Sequence, residues 1–370
     1  MTYKDKNNIL SLQYILKFAT IKINKVEKKF DTTILEKMLS ASKNPLLIGH
    51  FNPDGDSVGA LIAMFHYLNA RGMSPSAVLP SPYPDYLDFL IGEETPIVIH
   101  SQEDNHARKL IASTDLLICF DFNRLSRTEQ LESDIVASKA PKILIDHHPC
   151  PDMEHFDLVY SEIEVSSSCE LLFWILMSMN DVAGDVSRLS LKCAESLYVG
   201  MMTDTNNFYN SVMASTFEMA SLLTGSGVDK TRLQEAVYNN YSADRMRLMG
   251  HLLKNCLHVI EDCGAAYLLL SDADKRFYNF AIGDSEGFVN LPLSIKGIRI
   301  TALFSEVDYG QEKYVRVSLR SKGDLDVNRF ASIYCNGGGH QNAAGGRLYM
   351  PFNEVGPYIE KSFREYLKIG

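Results

Sequence analysis

The sequence is short of several things, and each shortage removes a class of protein. Cysteines number seven, an odd count, scattered at 119, 150, 169, 193, 256, 263 and 335 without a Cys-x-x-Cys pair. A disulfide framework or a zinc knuckle is therefore not expected; reduced thiols of a cytoplasmic chain are. No run of about 18 apolar residues is present, so no membrane span is expected. Basic residues are outnumbered, 36 Lys and Arg against 46 Asp and Glu, which leaves a net charge of -10 and a pI near 5.5. Such a chain does not hold long nucleic acid through its overall field, so a phosphate-bearing partner must be held locally, by metal ions or a few placed cations. Internal repeats and low-complexity segments are also missing. The opening stretch MTYKDKNNILSLQYILKFATIKI is basic and then apolar, but Gln13 and Lys17 interrupt it and no small-residue cleavage site follows. It reads as a short helix or partly ordered leader over 1–30 and not as a signal peptide.

What remains is 370 residues at 46% hydrophobic content, enough for two cores of ordinary size. From about residue 31, short apolar runs (NPLLIGH, SAVLP, PIVIH, DLLICFD, KILID) alternate with helical stretches (TTILEKMLSA, SVGALIAMFHYLNARG, ELLFWILMSMN). That alternation predicts a mainly parallel sheet with helices on both faces over 31–225. SLYVGMMTDT reads as a further helix or strand. A long helical connector is expected over 226–260, followed by a smaller mixed α/β domain over 261–370 with strands at AAYLLLSD, IRITALFSEV and KYVRVSLRS.

Four apolar runs in the first half end in carboxylates or imidazoles: LLIGHFNPDGD (His50, Asp54, Asp56), LLICFD (Asp121), ILIDHH (Asp146, His147, His148) and GMMTDT (Asp204). One such Asp is ordinarily a helix cap or a turn residue. Four in one chain are different, because ligands of an open parallel sheet bind beyond the carboxyl ends of its strands. Carboxylates converging there repel unless cations neutralise them. A mixed Asp and His set suits a divalent ion such as manganese better than structural zinc. Neighbouring strand residues face opposite ways, so Asp146, His147 and His148 cannot all bind one ion from a regular strand. The expected division is one ligand, one orienting carboxylate and one imidazole left for substrate. In KYVRVSLRS, alternation puts Arg316, Ser318 and Arg320 on one face. Gly337, Gly338 and Gly339 allow backbone amides close to an anion, with His340 as an added donor.

Together these motifs resemble the DHH superfamily of phosphoesterases. HFNPDGD, Asp121, DHH and Asp204 follow the family's four metal-binding motifs in order. EGFVNLPLSIKG, Arg320-Ser321 and GGGH with AAGG after it resemble the first type of DHH-associated domain. The resemblance covers about 30 to 350 and is closest to the bifunctional oligoribonucleases that also dephosphorylate 3'-phosphoadenosine 5'-phosphate (pAp). It implies two divalent ions, manganese with magnesium or cobalt as substitutes. His50, Asp54 and Asp121 would hold one, and Asp56, Asp121, His147 and Asp204 the other, with Asp121 bridging. Two such ions about 3.5–4 Å apart activate a water for attack on phosphorus. His148 would meet the phosphate or leaving oxygen, Asp146 would orient its neighbours, and Arg316, Arg320, Ser321, Gly337, Gly338, Gly339 and His340 would bind substrate. The implied substrates are short oligonucleotides and pAp, with no long double-stranded partner, and a homodimer is compatible with the family. One departure is Thr205-Asn206-Asn207-Phe208, where a Gly is expected early in the run. Three alternatives stay open: a linear or cyclic dinucleotide phosphodiesterase, a single-strand exonuclease, and a nucleotide sensor without useful catalysis.

Overall fold

The computed structural model describes residues 29–92, 95, 97–309 and 312–368, so all but the end of the expected leader lies outside the described residues. Among them, two six-stranded sheets form the frame. The first holds β1 (Pro45–Ile48), β2 (Ser76–Leu79), β3 (Ile97–Ile99), β4 (Leu116–Phe120), β5 (Lys142–Asp146) and β6 (Leu158–Ser161), all parallel, in the order β3-β2-β1-β4-β5-β6. The central strands are buried on both faces, which is why they read as unbroken apolar runs. Leu47, Ile118, Ile143 and Ile145 enter one core, and Leu46, Ile48, Leu117 and Leu144 enter the other. Each such side chain contributes about 1.5–3 kcal/mol of burial before ordering costs.

The chain order reverses between β1 and β4, and a crevice opens there at the carboxyl ends of the strands. The backbone leaves the three central strands through left-handed residues: Asn52 after β1, Asp121 after β4 and Cys150 after β5. Asn and Asp tolerate that region best among non-glycine residues.

Helix Gly55–Ala70 starts in the crevice and is buried on almost every side. It packs on helix Leu191–Asp204 at glycine contacts. A Cβ at Gly59 would meet the Ser196 carbonyl oxygen at 2.7 Å, and one at Gly200 would meet Cys169 Sγ at 2.2 Å. Asp204 therefore ends a helix, which decides the helix-or-strand alternative left open for SLYVGMMTDT. Periodicity could not separate the two readings.

The expected connector is divided between the two sheets. Leu233 and Val237 of helix Lys230–Tyr238 join a core of the first, whereas Leu248 and Leu252 of helix Ala243–Asn255 pack with Leu268, Leu270 and Leu303 of the second. Residues 257–260, read as helix, form the edge strand β7 (Leu257–Ile260). The second sheet continues with β8 (Ala265–Leu270), β9 (Ile300–Tyr309), β10 (Glu312–Ser321), β11 (Gly338–His340) and β12 (Ala343–Leu348), in the order β11-β12-β10-β9-β8-β7. Only β8 and β9 pair in parallel. Helices Val327–Tyr334 and Phe352–Lys368 cover one face through Phe330, Ile359 and Phe363. No helix among the described residues is long and apolar enough to cross a membrane.

Candidate metal centre and substrate cleft

At the crevice the motif residues from four chain segments meet. His50 stands just past β1. Its Nδ1 donates to the carbonyl oxygen of Phe51 at 2.9 Å, so its bare Nε2 turns to Asp121 Oδ2 at 3.3 Å and to Asp54 Oδ1 at 3.9 Å. Asp54 caps helix Gly55–Ala70, accepting the amides of Asp56 and Ser57 with one oxygen. Asp56, in the first turn, points inward, 1% exposed, and accepts the amides of Ser168 and Cys169 at 2.7 and 2.9 Å. Asp121 accepts from Ser168 Oγ at 3.0 Å. His147 Nε2 lies 3.5 Å from both Asp121 Oδ1 and Asp204 Oδ2, and 4.0 Å from Asp56 Oδ2. Two overlapping donor groups result, His50–Asp54–Asp121 and Asp56–Asp121–His147, each with ligand atoms within 4.8 Å of one another.

The electrostatics report what such crowding does without a counter-charge. Burial, then Asp204, raises the Asp56 carboxyl to about 7. Burial, then Asp54, raises Asp204 to about 7. Asp121 is pushed up by burial and by Asp56, Asp54 and Asp204 in turn. Burial brings the His50 imidazole down to about 4. Asp54 is the exception: burial opposes ionisation, but His50 and the Ser57 amide hold its carboxyl below the usual value. Buried carboxylates that resist ionising, beside imidazoles that resist protonation, form a donor set suited to divalent cations. Asp146 adds a buried oxygen, Oδ2, with no hydrogen-bond partner. The residues present therefore fit metal ions.

The DHH triplet divides by alternation. Asp146 ends β5, fully buried, and its Oδ1 accepts from His148 Nδ1 at 2.7 Å, while His147 faces the other way into the carboxylates. His148 Nε2 is the ring nitrogen outside that bond. The His148 ring stacks on His340 at 4.6 Å between centroids, and His147 lies 5.0 Å from His340. The second sheet thus closes the site.

The substrate-binding expectations fare unevenly. Val315, Val317 and Leu319 are buried under β10, while Arg316, Ser318 and Arg320 share the other face, as alternation predicts. Arg320 faces Asp204 and Asp54, whose charges offset part of its burial. Ser321 does not join them: it points to the opposite side, donates to the Leu325 carbonyl at 2.5 Å and accepts from Asn342. The glycine run also differs from expectation. The Gly337 amide goes to the Ala331 carbonyl and the Gly339 amide to Asn328 Oδ1, so neither is left for an anion. The glycines are there for close packing, since a Cβ on Gly337 would lie 1.9 Å from the Gly345 oxygen and one on Gly339 2.6 Å from the Ala343 oxygen. Their effect is to deliver His340, whose Nε2 is buried without a partner. In the Thr205–Phe208 run, Asn206, Asn207 and Phe208 all have positive φ, so two asparagines serve where a glycine was expected.

Sequence reasoning missed three contributors. Ser168, with its amide and hydroxyl, holds both Asp56 and Asp121. Ser167-Ser168-Cys169-Glu170 has the spacing of a capping box, and the structure uses half of it: Ser167 Oγ caps the Glu170 amide, but Glu170 turns to Ser166 and Thr216. Arg127, in the 3-10 segment Leu125–Leu131 after Asp121, adds a positive charge that favours the Asp54 carboxylate, and its carbonyl accepts the Phe51 amide at 2.8 Å. Its place after a strand-end Asp was the available signal. Tyr86 spans the cleft, its hydroxyl donating to Glu286 at 2.7 Å.

Comparison with known proteins agrees with this geometry. Residues 45–201 match the DHH family, N-terminal domain, and residues 275–367 match the DHHA1 domain. The bifunctional oligoribonuclease and PAP phosphatase NrnA of Bacillus subtilis is 25% identical over 319 residues, 86% of this chain and 93% of that protein. The cyclic-di-AMP phosphodiesterase GdpP of the same organism is 24% identical across 96% of this chain, which spans 53% of that protein. The crystal structure of an exopolyphosphatase-related protein from Bacteroides fragilis superposes with a TM-score of 0.83 at 33% identity, covering 94% of this chain and 99% of that one.

Proposed function

This chain belongs to the DHH family and is a phosphoester hydrolase; from that premise we propose that it cuts short oligoribonucleotides to nucleoside 5'-monophosphates and dephosphorylates pAp to AMP. The observation that carries the reading is the convergence of His50, Asp54, Asp56, Asp121, His147 and Asp204 at the mouth of a cleft walled by His340 and Arg320. Length supports it too, since the oligoribonuclease relative is matched over nearly its whole chain. In this reading His50, Asp54 and Asp121 hold one divalent ion, and Asp56, Asp121, His147 and Asp204 the other. Manganese is the ion we expect. Divalent ions held by these residues would activate water at neutral pH and offset charge on the phosphoryl oxygens.

The protein's own groups do the rest. Asp56 is aimed by two backbone amides and Asp121 by Ser168, so the oxygens are positioned before any cation arrives. His148, fixed through Nδ1 by Asp146, offers Nε2 to the phosphate or leaving oxygen. Arg320 and Arg316 meet the phosphate from the second sheet. A cleft between two domains limits the substrate to short or terminal chains and excludes bulk water during the reaction. A second reading, a cyclic di-AMP or pApA phosphodiesterase, is favoured by the match to GdpP across 96% of this chain.

Product analysis separates them. Wild type and Asp121→Ala are incubated with manganese and, separately, pApA, pAp and cyclic di-AMP. AMP from pApA and pAp, lost by about a thousandfold or more in the variant, supports the bifunctional reading. Turnover of cyclic di-AMP or pApA without pAp replaces it with the dinucleotide reading.

A further inference from the structure

One cluster of ligand-type side chains lies outside the cleft. His251 sits near the end of helix Ala243–Asn255, Cys256 caps that helix, and Asp274 belongs to helix Asp272–Phe277, which follows β8. Their polar atoms converge. His251 Nε2 stands 3.0 Å from Asp274 Oδ1 and 3.4 Å from Cys256 Sγ, and all three atoms lie within 4.8 Å of one another.

Two simpler arrangements fit that geometry less well. A nucleophilic triad places the thiol at one ring nitrogen and the carboxylate at the other, whereas here both face Nε2. A chain of hydrogen bonds uses a neutral ring nitrogen as donor or as acceptor but not as both, so one of the two partners is left over. An ion at the point that all three face uses all of them. With zinc–nitrogen and zinc–oxygen bonds of about 2.0–2.2 Å and a zinc–sulfur bond of about 2.3 Å, a tetrahedral site has a nitrogen–oxygen edge of about 3.3 Å and a nitrogen–sulfur edge of about 3.5 Å. The 3.0 and 3.4 Å edges seen here fall just inside those values.

The surroundings prepare each ligand. Asp274 Oδ2 is taken by the hydroxyl and amide of Ser271, which leaves Oδ1 for the cluster. His251 Nδ1 lies 3.0 Å from the Asn255 side-chain amide; with that amide turned over, its oxygen accepts from Nδ1 and leaves Nε2 bare. The Tyr278 ring stands 5.3 Å from the imidazole, and both Tyr278 and Cys256 pack on the apolar cluster of Leu248 and Leu252. The His251 and Asp274 side chains are each 23% exposed, so water reaches the fourth position.

We propose that His251, Cys256 and Asp274 form a second kind of metal site, which takes zinc. The thiolate is the discriminating ligand: sulfur favours zinc, while the Asp and His set of the cleft suits manganese. The ion would tie the helix that enters the second sheet's core to the helix after β8. The site stands independently of the reading of the cleft.

Cobalt, a zinc surrogate with a readable spectrum, tests it on the full chain. Reduced protein is loaded with manganese and titrated with cobalt, and the thiolate-to-cobalt charge-transfer band is followed. Cobalt exchanging into the cleft gives no such band, because no thiol is among the ligands there. Wild type is expected to show the band, saturating at about one ion per chain, and zinc to bleach it. Cys256→Ser is expected to lose it, and His251→Gln to bind cobalt about tenfold or more weakly. Zinc should raise the melting temperature of manganese-loaded wild type by a few degrees more than that of Cys256→Ser. Melts in chelator check that both variants fold. No band in wild type overturns the site and leaves a hydrogen-bonded trio. A band that survives in Cys256→Ser assigns the cobalt to another thiol, the exposed Cys150 first, and overturns it equally. Should Cys256→Ser fail to fold, His251→Gln decides, and an unchanged cobalt affinity overturns the site.

Discussion

Asp56 shows at one residue how the site works against the fold. Its two oxygens accept two backbone amides, which should favour the carboxylate, yet burial and Asp204 outweigh them and raise it to about 7. In the metal-free unfolded chain the same carboxyl titrates near about 3.9. Between those values the folded form holds a proton that the unfolded form has lost, so this group's contribution to stability is full below about 4 and is lost as pH rises through about 7. Asp56→Asn carries no such charge. In chelator, its melting temperature relative to wild type should therefore rise by a few degrees between pH 5 and pH 8, where about 1 kcal/mol is worth about 2–4 °C. A flat difference would show that Asp56 ionises freely without metal. Manganese should reverse the order at pH 8 by stabilising wild type, since an ion bound only to the folded chain adds stability by mass action. Residue identity at this scale was largely legible: the carboxylates and imidazoles were visible because each ended an apolar run. Ser168 and Arg127 were not, because nothing in the composition of a helix's first turn or of a short 3-10 segment says which way a side chain faces.

The helices show what periodicity cannot read. Gly55–Ala70 and Leu191–Asp204 were expected as apolar segments, but their value lies in the close approach at Gly59 and Gly200, which sets Asp56 and Asp204 on opposite lips of one pocket. A methyl at Gly200 would stand 2.2 Å from Cys169 Sγ and 3.0 Å from Asp56 Oδ1. Gly200→Ala should cost about 1–3 kcal/mol by overpacking and lower kcat with it, because the neighbour forced to move, Cys169, holds the Asp56 carboxylate through its amide. Gly72 provides the contrast. Its φ is +75 with open space around it, so Gly72→Ala should cost about 1 kcal/mol of backbone strain and leave kcat at the wild-type value. Thermal melts and steady-state rates on both variants check this, and a Gly200→Ala enzyme with wild-type kcat would mean that the helix pair does not position the site. A strand and a buried helix ending in Asp look alike in sequence, which is why the sequence leaves the segment ending in Asp204 open as helix or strand and only the structure shows a helix.

At the scale of the molecule, the two sheets face one cleft, and among the described residues polar and ring contacts tie its walls together. Tyr86 meets Glu286, Arg347 meets Glu129, and the His148 and His340 rings stack. A surface ion pair contributes about 0–1 kcal/mol and a single hydrogen bond about 1 kcal/mol, so these ties fix orientation far more than stability. The chain also crosses between cores in the few residues from Tyr238 to Ala243, a short hinge. The sequence implied two domains and a helical link, but it could not tell that each linking helix would be absorbed into a different core, because both present an apolar stripe to some partner. Combining Tyr86→Phe with Arg347→Ala should therefore leave the melting temperature within about 4 °C of wild type, the worth of about 1–2 kcal/mol. Small-angle scattering without substrate should show a larger radius of gyration, because the open arrangement is no longer opposed. KM for pApA should rise by about tenfold, since binding must then close the cleft at its own expense, while kcat falls less. Salt should mimic part of the effect in wild type by screening the Arg347–Glu129 pair. A large fall in melting temperature with an unchanged radius would make these contacts structural staples of a rigid body, and the cleft a fixed slot rather than one that closes on its substrate.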